Sequence, residues 1–491
     1  MPSLDVEKGP ARASNIAVKS SPQFKQPNTD EISASQRLIQ EKQPLNSLSG
    51  TGYNLVKTTI GCGMIFLPKA MNHCGLILGL VLIVFCAAVT FVPQLLLSQM
   101  STLGVSDYIS LSSRCYGKSV ETSIVILQLL LLFTPMIAYI KLNGIFAYNF
   151  IMSLGVSSHS IFVNPTIITV ILSFFVILPL CLLKNLSKLS FVSVMGLICV
   201  TYLSLLTIFD YFYDSWINGG LVGIYPGLGL VSSNISYFKF SLALMSAFNT
   251  FMLAYINHPS ILPLISEMES PTASRRSKLL FRSQFVIVTF YILTTTFGYL
   301  HFGSACEDSI SYILLKQNPF YLLAQILVVL VNIVTFPLIH WPARLSLDWL
   351  IREVIKSIDN RRLAFKKISA APPSSLGSTN FPRGKIDLLE EKFDNAKNQR
   401  HTIEAGILVF ISCMCAILFP SVLAVFDFFV PISGSSILFT IPALCSLKCM
   451  EKGLIDEKPM RKVLAYVCLA TGILHLIIGS VSAVCTYIIK I

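Results

Sequence analysis

The fold is decided by a stretch that occupies residues 54–70 and reads NLVKTTIGCGMIFLPKA. It is apolar enough to enter a membrane, but it carries residues that weaken a helix near its middle. Gly61 and Gly63 each lower helix stability by about 1 kcal/mol relative to alanine. Pro68 removes a main-chain donor and clashes with the preceding turn. The stretch therefore predicts a membrane helix that breaks near mid-bilayer, where its bare N–H and C=O groups need partners.

A second apolar stretch has the same property. It occupies residues 248–263, reads FNTFMLAYINHPSILP, and is interrupted by Pro259 and Pro263. Interrupted segments at corresponding positions of two halves point to the binding site of a secondary transporter. These two begin five helices apart, which predicts a 5+5 inverted repeat plus one extra helix.

The rest of the chain supports an all-α polytopic membrane protein. Of its 491 residues 54% are hydrophobic and 13% charged, against about 25% charged in soluble proteins. A spanning helix needs roughly 20 apolar residues, and this rule predicts about eleven spans. They lie near residues 51–71, 75–99, 121–150, 164–183, 188–210, 238–262, 281–302, 317–341, 402–419, 421–446 and 462–489.

Four regions follow from these spans. We expect a disordered cytosolic tail over 1–50, helices 1–8 over 51–341, a cytosolic amphipathic segment and linker over 342–401, and helices 9–11 over 402–491. Most of the 37 Lys and Arg residues fall on the side of the N-terminus. The positive-inside rule then places the N-terminus in the cytosol and the C-terminus in the extracellular or lumenal space. The basic excess indicates a membrane surface and not nucleic acid.

Several polar residues inside or beside the spans are functional candidates. His258 is either a proton-handling group or a packed histidine bonded to a carbonyl. Lys141 lies deep within a span, where an ionisable residue indicates function by default. We expect Asp427 at the membrane interface in a structural role, and we consider a disulfide between Cys74 and Cys306 on the outer face.

Four motifs give the chain a resemblance to the amino acid/auxin permease family. Its first span resembles that family's Gly-x-Gly and Leu-Pro helix, in the form of the proton-coupled and vacuolar transporters. Residues 257–268 resemble the Cys-His-Pro-x-x-Leu-Pro segment of the sodium-coupled neutral amino acid transporters, with Asn257 in place of Cys. Residues 296–300 and 419–442 are similar to the family's seventh helix and to its ninth-to-tenth helix junction.

The resemblance implies a LeuT-like core with a substrate site between broken helices 1 and 6. By matching position, the carboxylate of a substrate would meet the first break, and its ammonium and side chain the sixth helix. The implied substrate residues are Thr59, Gly61, Cys62, Gly63, Leu253, Ala254 and Tyr255. A sodium site would match Asn54 and Thr335, and no other metal or cofactor is expected.

Lys57 shares a helix face with Asn54, because the two are three residues apart. A lysine there would repel sodium or replace it, so we favour protons over sodium as the coupling ion. Lys57 snorkelling to the cytosol is the alternative. The cation-coupling residues are then Asn54, Lys57, Thr335 and His258.

These features favour a secondary active transporter of amino acids that works by alternating access, as a monomer in a vacuolar, lysosomal or plasma membrane. The chain has no Gly-x-x-x-x-Gly-Lys-Ser/Thr motif for nucleotide energy. It also lacks the motifs of an intramembrane enzyme. The alternative is an amino acid sensor that signals through its tail and the 342–401 loop.

Overall fold

The computed structural model describes residues 46–117, 120–156, 164–182, 190–217, 235–303, 319–369 and 383–485. These parts are helical throughout, apart from short connections and one isolated bridge between Asn46 and Met268. The helices are, in chain order, α1 Leu48–Thr59, α2 Leu67–Cys74, α3 Leu76–Met100, α4 Tyr108–Tyr116, α5 Glu121–Ser153, α6 Pro165–Ile171, α7 Leu178–Cys181, α8 Ser190–Ile217, α9 Ala243–Ala254, α10 His258–Ser266, α11 Ala273–Phe302, α12 Pro319–Ser369, α13 Arg383–Leu418, α14 Val422–Gly434, α15 Ile441–Glu451 and α16 Pro459–Val484.

These helices account for the eleven predicted spans. Within the described residues, eight helical segments are long and apolar enough to cross a membrane, and Pro165–Cys181 is a shorter apolar helix. The other two spans are broken: α1 and α2 form the first, and α9 and α10 form the sixth. Both predicted breaks are therefore present.

Local sequence explains where several helices begin. Ser47 caps α1 by accepting from the Gly50 N–H at 3.1 Å, and Ser421 caps α14 in the same way. Asp107 and Ser110 form a reciprocal capping box at the start of α4. This short helix was not predicted, because it is too short to span and only its cap marks it.

Two helices extend well beyond their predicted spans. The seventh span was expected to begin near residue 281, but α11 begins at Ala273, where Thr272 caps it. The eighth was expected to end near 341, but α12 continues to Ser369, so the predicted amphipathic segment at 344–357 prolongs this helix. The membrane-length rule detects only the apolar part of a helix and sets no limit on a polar extension.

Some predictions fall on residues outside the described ranges. They concern the tail up to residue 45, Cys306, the Pro- and Ser-containing linker at 371–375 and the last residues of the eleventh span. Cys74 has a free thiol. It is buried and donates to the Ala70 carbonyl at 3.2 Å.

The broken helices lie in the centre of the packing. The half-helix α2 packs against α9 and α11, and α9 packs in turn against α14 and α16. Close approach between α2 and α11 depends on Gly298, since a Cβ atom there would lie 2.5 Å from Pro68 Cγ. A π-helical turn, Ser435–Thr440, joins α14 to α15 within the tenth span.

Candidate functional site

A cavity of about 240 Å³ lies where the two broken helices meet. Its wall is formed by the end of α1, by the residues around the break between α9 and α10, and by α5. Met64 and Phe66, which follow the first break, Tyr291 of α11, Ile339 of α12 and Phe426 of α14 also contribute to it. None of the described lining residues is Asp, Glu, Lys, Arg or His. The cavity therefore has an uncharged wall with a few hydroxyl and amide groups.

The first break begins where Ile60 leaves the helical conformation, with φ −82° and ψ 98°. Gly61 follows in an extended conformation, with φ −115° and ψ −174°, before the 3₁₀ turn Cys62–Phe66. The Ile60 N–H still bonds to the Val56 carbonyl at 2.8 Å. Within the described residues, the Gly61 N–H has no hydrogen-bond acceptor. A main-chain donor is thus left at the cavity wall.

The second break separates α9 from α10. Tyr255 ends α9 with φ −92° and ψ 11°, and Asn257 precedes α10 with φ −138° and ψ 1°. Pro259 stands in the first turn of α10, where its missing N–H costs nothing. The Asn257 carbonyl accepts from the Ser260 N–H at 3.0 Å, but the Asn257 N–H has no acceptor among the described residues.

Tyr291 links the two breaks. Its hydroxyl lies 3.0 Å from the Thr59 carbonyl oxygen and 2.8 Å from the Ala254 carbonyl oxygen. A phenol has one proton to donate, so it serves one of these carbonyls at a time. The Tyr255 ring packs edge-on against the Tyr291 ring, with centroids 5.2 Å apart. This places a switchable donor at the point where both helices are open.

A buried amide network supports the breaks from behind. The Asn257 Nδ2 donates to Thr59 Oγ1 at 2.9 Å, and Gln94 Nε2 donates to Asn257 Oδ1 at 3.1 Å. Gln284 Nε2 donates to the Ala87 carbonyl and its Oε1 lies 3.3 Å from Gln94 Nε2. Asn257, the residue that departs from the family's Cys, thus joins the two broken helices directly.

Aromatic rings close one end of the cavity. Phe66 follows the first break, and its ring contacts Phe426 edge-on, with centroids 5.7 Å apart. Both residues are buried, as is Met64 beside them. Thr58, in the last turn of α1, also lines the cavity and is exposed. The cavity wall therefore runs from a buried aromatic pair to an exposed hydroxyl group.

The predicted substrate residues fall into three groups. Four of them line the cavity: Thr59, Gly61, Leu253 and Ala254. Cys62 and Gly63 lie in the 3₁₀ turn that follows the first break. Tyr255 is buried and its hydroxyl donates to the Ile83 carbonyl at 3.2 Å, so this side chain packs behind the wall.

The predicted cation site stays a prediction, and its residues have the following surroundings. The Asn54 carbonyl accepts from Thr58 Oγ1 at 2.7 Å, and Thr335 lies within α12. Lys57 lies in the last turn of α1, beside the break. His258 is fully buried, with Nε2 3.1 Å from the Thr90 carbonyl oxygen. That geometry is the one expected of a packed histidine.

Two ionisable residues have clear partners. Lys141 donates to the carbonyls of Ala416 and Phe419, at 3.0 and 2.6 Å. Lys141 belongs to α5, but its ammonium group reaches the end of α13. There it compensates the partial negative charge of the last helical carbonyls. Asp427, which was expected at the membrane interface, is 1% exposed and accepts from Ser246 and Asn249 of α9. The direction in which the Asp427 side chain faces depends on how α14 packs against its neighbours, and the sequence does not reveal this packing.

Sequence reasoning missed Tyr291, Thr250 and Phe426. Tyr291 bonds to a carbonyl 232 residues away in the chain, and it lies in an uninterrupted apolar helix that carries no local signal. Thr250 lies more than one helical turn before the second break, and Phe426 belongs to α14, which contains neither break. Asn257 was noticed only as a departure from a motif, although its amide could have suggested a polar contact.

A family model described as transmembrane amino acid transporter protein matches residues 47–485 of this chain. The crystal structure of MhsT in complex with L-phenylalanine is similar in fold, with a TM-score of 0.51 and 12% identity over 88% of this chain and 98% of that chain. The structure of Mhp1, a nucleobase-cation-symport-1 family transporter in a closed conformation with bromovinylhydantoin bound, is also similar in fold. Its TM-score is 0.50, with 12% identity over 89% of this chain and 90% of that chain. The predicted all-helical, LeuT-like fold class is confirmed.

Proposed function

Because the chain belongs to the transmembrane amino acid transporter family, that is, the amino acid/auxin permease family, we propose that it is a secondary active transporter of neutral amino acids. It works by alternating access and is driven by a cation gradient, with protons favoured over sodium. The observation that carries this proposal is an uncharged cavity whose wall contains unpaired main-chain groups from two broken helices.

The main-chain groups suit a zwitterion. The Gly61 N–H, with those of the following turn, would bind the carboxylate. The Ala254 carbonyl can accept from an ammonium group when the Tyr291 hydroxyl turns to the Thr59 carbonyl. Each new bond replaces one that the substrate made to water, and each satisfies a group that is costly to leave bare in a membrane protein.

The uncharged wall limits the substrate side chain. A charged side chain would leave water without meeting an opposite charge in the cavity, and an unpaired buried charge costs several kcal/mol. The apolar part of the wall, including Leu131, Leu142 and Phe426, suits an aliphatic or aromatic side chain. Neutral amino acids fit both requirements.

The coupling ion is argued from Lys57. Lys57 follows Asn54 by three residues, about one helical turn along α1, and Asn54 is the position that would contribute to a sodium site by family resemblance. Like charges in a low-dielectric region repel strongly. This supports protons, and with them an acidic organelle such as a vacuole or lysosome ahead of the plasma membrane. We further propose that the N-terminus is cytosolic, that the chain works as a monomer and that it has no enzymatic activity.

The test is uptake of a panel of labelled amino acids into proteoliposomes, with proton and sodium gradients imposed separately. We expect accumulation of neutral amino acids under an inward proton gradient, and none of lysine, arginine or glutamate. Empty liposomes are the control. Saturable binding without any flux would contradict transport and indicate the sensor instead. Accumulation driven by sodium alone would contradict proton coupling.

A further inference from the structure

We infer that Asp427 is the proton-binding site of this transporter, and that its ionised form latches α9 to α14. The inference rests on the proposed function and names the group that carries the coupled proton. It starts from the geometry of a buried cluster that lies one layer behind the cavity wall and includes Ser246, Asn249, Asp427 and His475.

The cluster surrounds a carboxylate with donors. Ser246 Oγ donates to Asp427 Oδ2 at 2.9 Å, and Asn249 Nδ2 donates to Asp427 Oδ1 at 2.9 Å. His475 Nε2 lies 3.1 Å from Asn249 Oδ1, so it donates there and fixes the orientation of the amide. Asn249 and His475 are fully buried and Asp427 is 1% exposed. Intramembrane carboxylates that face neighbouring helices typically serve proton or ion movement.

Both protonation states of Asp427 find partners in this cluster. The ionised carboxylate accepts from Ser246 and Asn249, as the distances show. A protonated carboxyl group needs an acceptor for its new O–H, and the Ser246 hydroxyl provides one by rotating its own proton away. A proton can therefore bind and leave without a large rearrangement of side chains. The hydrogen bond from Asn249 is weaker in the protonated state, because charge-assisted bonds are roughly twice as strong as neutral ones.

The ionisable groups on the described helices that pack against α9 and α14 need to be considered. Helix α16 contributes His475, and α9 contributes only neutral side chains. On α5, Lys141 is engaged by the carbonyls at the end of α13. The half-helix α2, which packs on α9, carries Lys69 and His73. A proton-dependent change is thus assigned to Asp427, with His475 as the competing carrier that the experiment must separate.

The cluster is connected to the moving parts of the site. Asn249 precedes Thr250, which lines the cavity, and Asp427 follows Phe426, whose ring closes the cavity against Phe66. The ionised latch holds α9 against α14 and keeps this aromatic closure in place. Protonation weakens the latch, so α9 can separate from α14 and open that end. Proton binding and access to the substrate are coupled through one carboxyl group.

The test compares Asp427→Asn with wild-type protein in proteoliposomes. Two quantities are measured for one neutral amino acid: the ratio of uptake with and without an inward proton gradient, and counterflow exchange without a gradient. Asparagine has nearly the same shape as aspartate, but its side chain binds no proton in this pH range. We expect the gradient ratio of Asp427→Asn to fall to one while counterflow persists. A ratio equal to that of wild type overturns the inference.

Matched variants separate the alternatives. Asp210→Asn removes another buried aspartate, which bonds to His301, and we expect it to keep the wild-type ratio. His475→Gln retains a hydrogen-bond donor toward Asn249, and we expect it to show the wild-type gradient ratio as well. Loss of the ratio in either of these variants, with retention in Asp427→Asn, overturns the assignment.

Two outcomes remain distinct from these. If wild type shows no counterflow of any amino acid, the proposed function fails, whatever the variants do. If Asp427→Asn is not recovered as monodisperse protein, Asp427→Glu replaces it. That variant still binds a proton but moves the carboxyl group by one methylene, so the pH of half-maximal uptake should shift. A pH profile that superimposes on the wild-type profile overturns the inference.

Discussion

Gly61 stands where the first membrane helix opens, and its lack of a side chain is what leaves space at the cavity wall. A Cβ atom at this position would lie 3.5 Å from the Tyr139 hydroxyl, which is an ordinary contact. A larger side chain would extend beyond that contact into the cavity. The residue is therefore tolerant of one added carbon but not of several.

We expect Gly61→Ala to keep measurable uptake and Gly61→Leu to abolish it, because leucine fills the space that the substrate needs. The measurement is counterflow exchange in proteoliposomes, with alanine as the matched control. Both variants should be present in the membrane fraction at wild-type levels, as measured by immunoblot, and should elute as a single peak in size-exclusion chromatography. Normal exchange by Gly61→Leu would place the substrate elsewhere.

At the scale of single residues, the sequence predicted which residues break a helix better than it predicted the direction in which a side chain faces. Gly61 and Pro259 were identified as breaking points because their effect on a helix is local. The fully buried position of Asp427 and the carbonyl contacts of Lys141 were not predictable, since they depend on which neighbour packs against each helix face. Tyr291 could not be found at all, because its role exists only once α1 and α9 are brought together.

At the scale of elements, helix packing depends on a few close approaches. The clearest close approach joins α11 to α2 at Gly298, which belongs to the motif at 296–300. Pro68 has a rigid ring, so it cannot move aside as a flexible side chain would. This contact fixes the second half of the broken first helix beside α11, and it explains why glycine stands in an otherwise large apolar motif.

Gly298→Ala is therefore expected to destabilise the protein by about 1–3 kcal/mol, the usual cost of overpacking a well-packed contact. The measurement is the thermal unfolding midpoint of the purified protein in detergent. Gly406→Ala is the matched control, because nothing lies within 4 Å of its added Cβ atom. Its midpoint should stay unchanged or rise slightly, since alanine favours a helix. Equal midpoints for both variants would contradict a tight contact at Pro68.

The sequence predicted the number and type of elements because spanning length and Gly/Pro interruptions are local properties. It did not predict how far a helix continues past its apolar part, as in the extension of α12 to Ser369. Nor did it predict the π-helical turns Leu172–Ile177 and Ser435–Thr440 within two spans. Such turns depend on tertiary packing as well as on local residue preferences.

At the scale of the whole molecule, alternating access requires the cavity to open to one side of the membrane at a time. The buried aromatic pair of Phe66 and Phe426 closes the cavity beyond the first break. Thr58, in the last turn of α1, lines the cavity and is exposed. With the proposed cytosolic N-terminus, α1 begins on the cytosolic side. We therefore predict that the cavity opens toward that side.

Thiol labelling of Thr58→Cys tests both the conformation and the orientation. A membrane-impermeant maleimide should label this variant when applied to the cytosolic face of membrane vesicles, and a neutral amino acid should slow the labelling by occupying the cavity. Thr51→Cys, on the same helix but fully buried, is the matched control and should stay unlabelled. Eleven of the native cysteines are buried or, in the case of Cys415, partly exposed, and labelling of the wild-type protein measures the background of all thirteen. Labelling of Thr58→Cys from the opposite face alone would contradict a cavity that opens toward the cytosol.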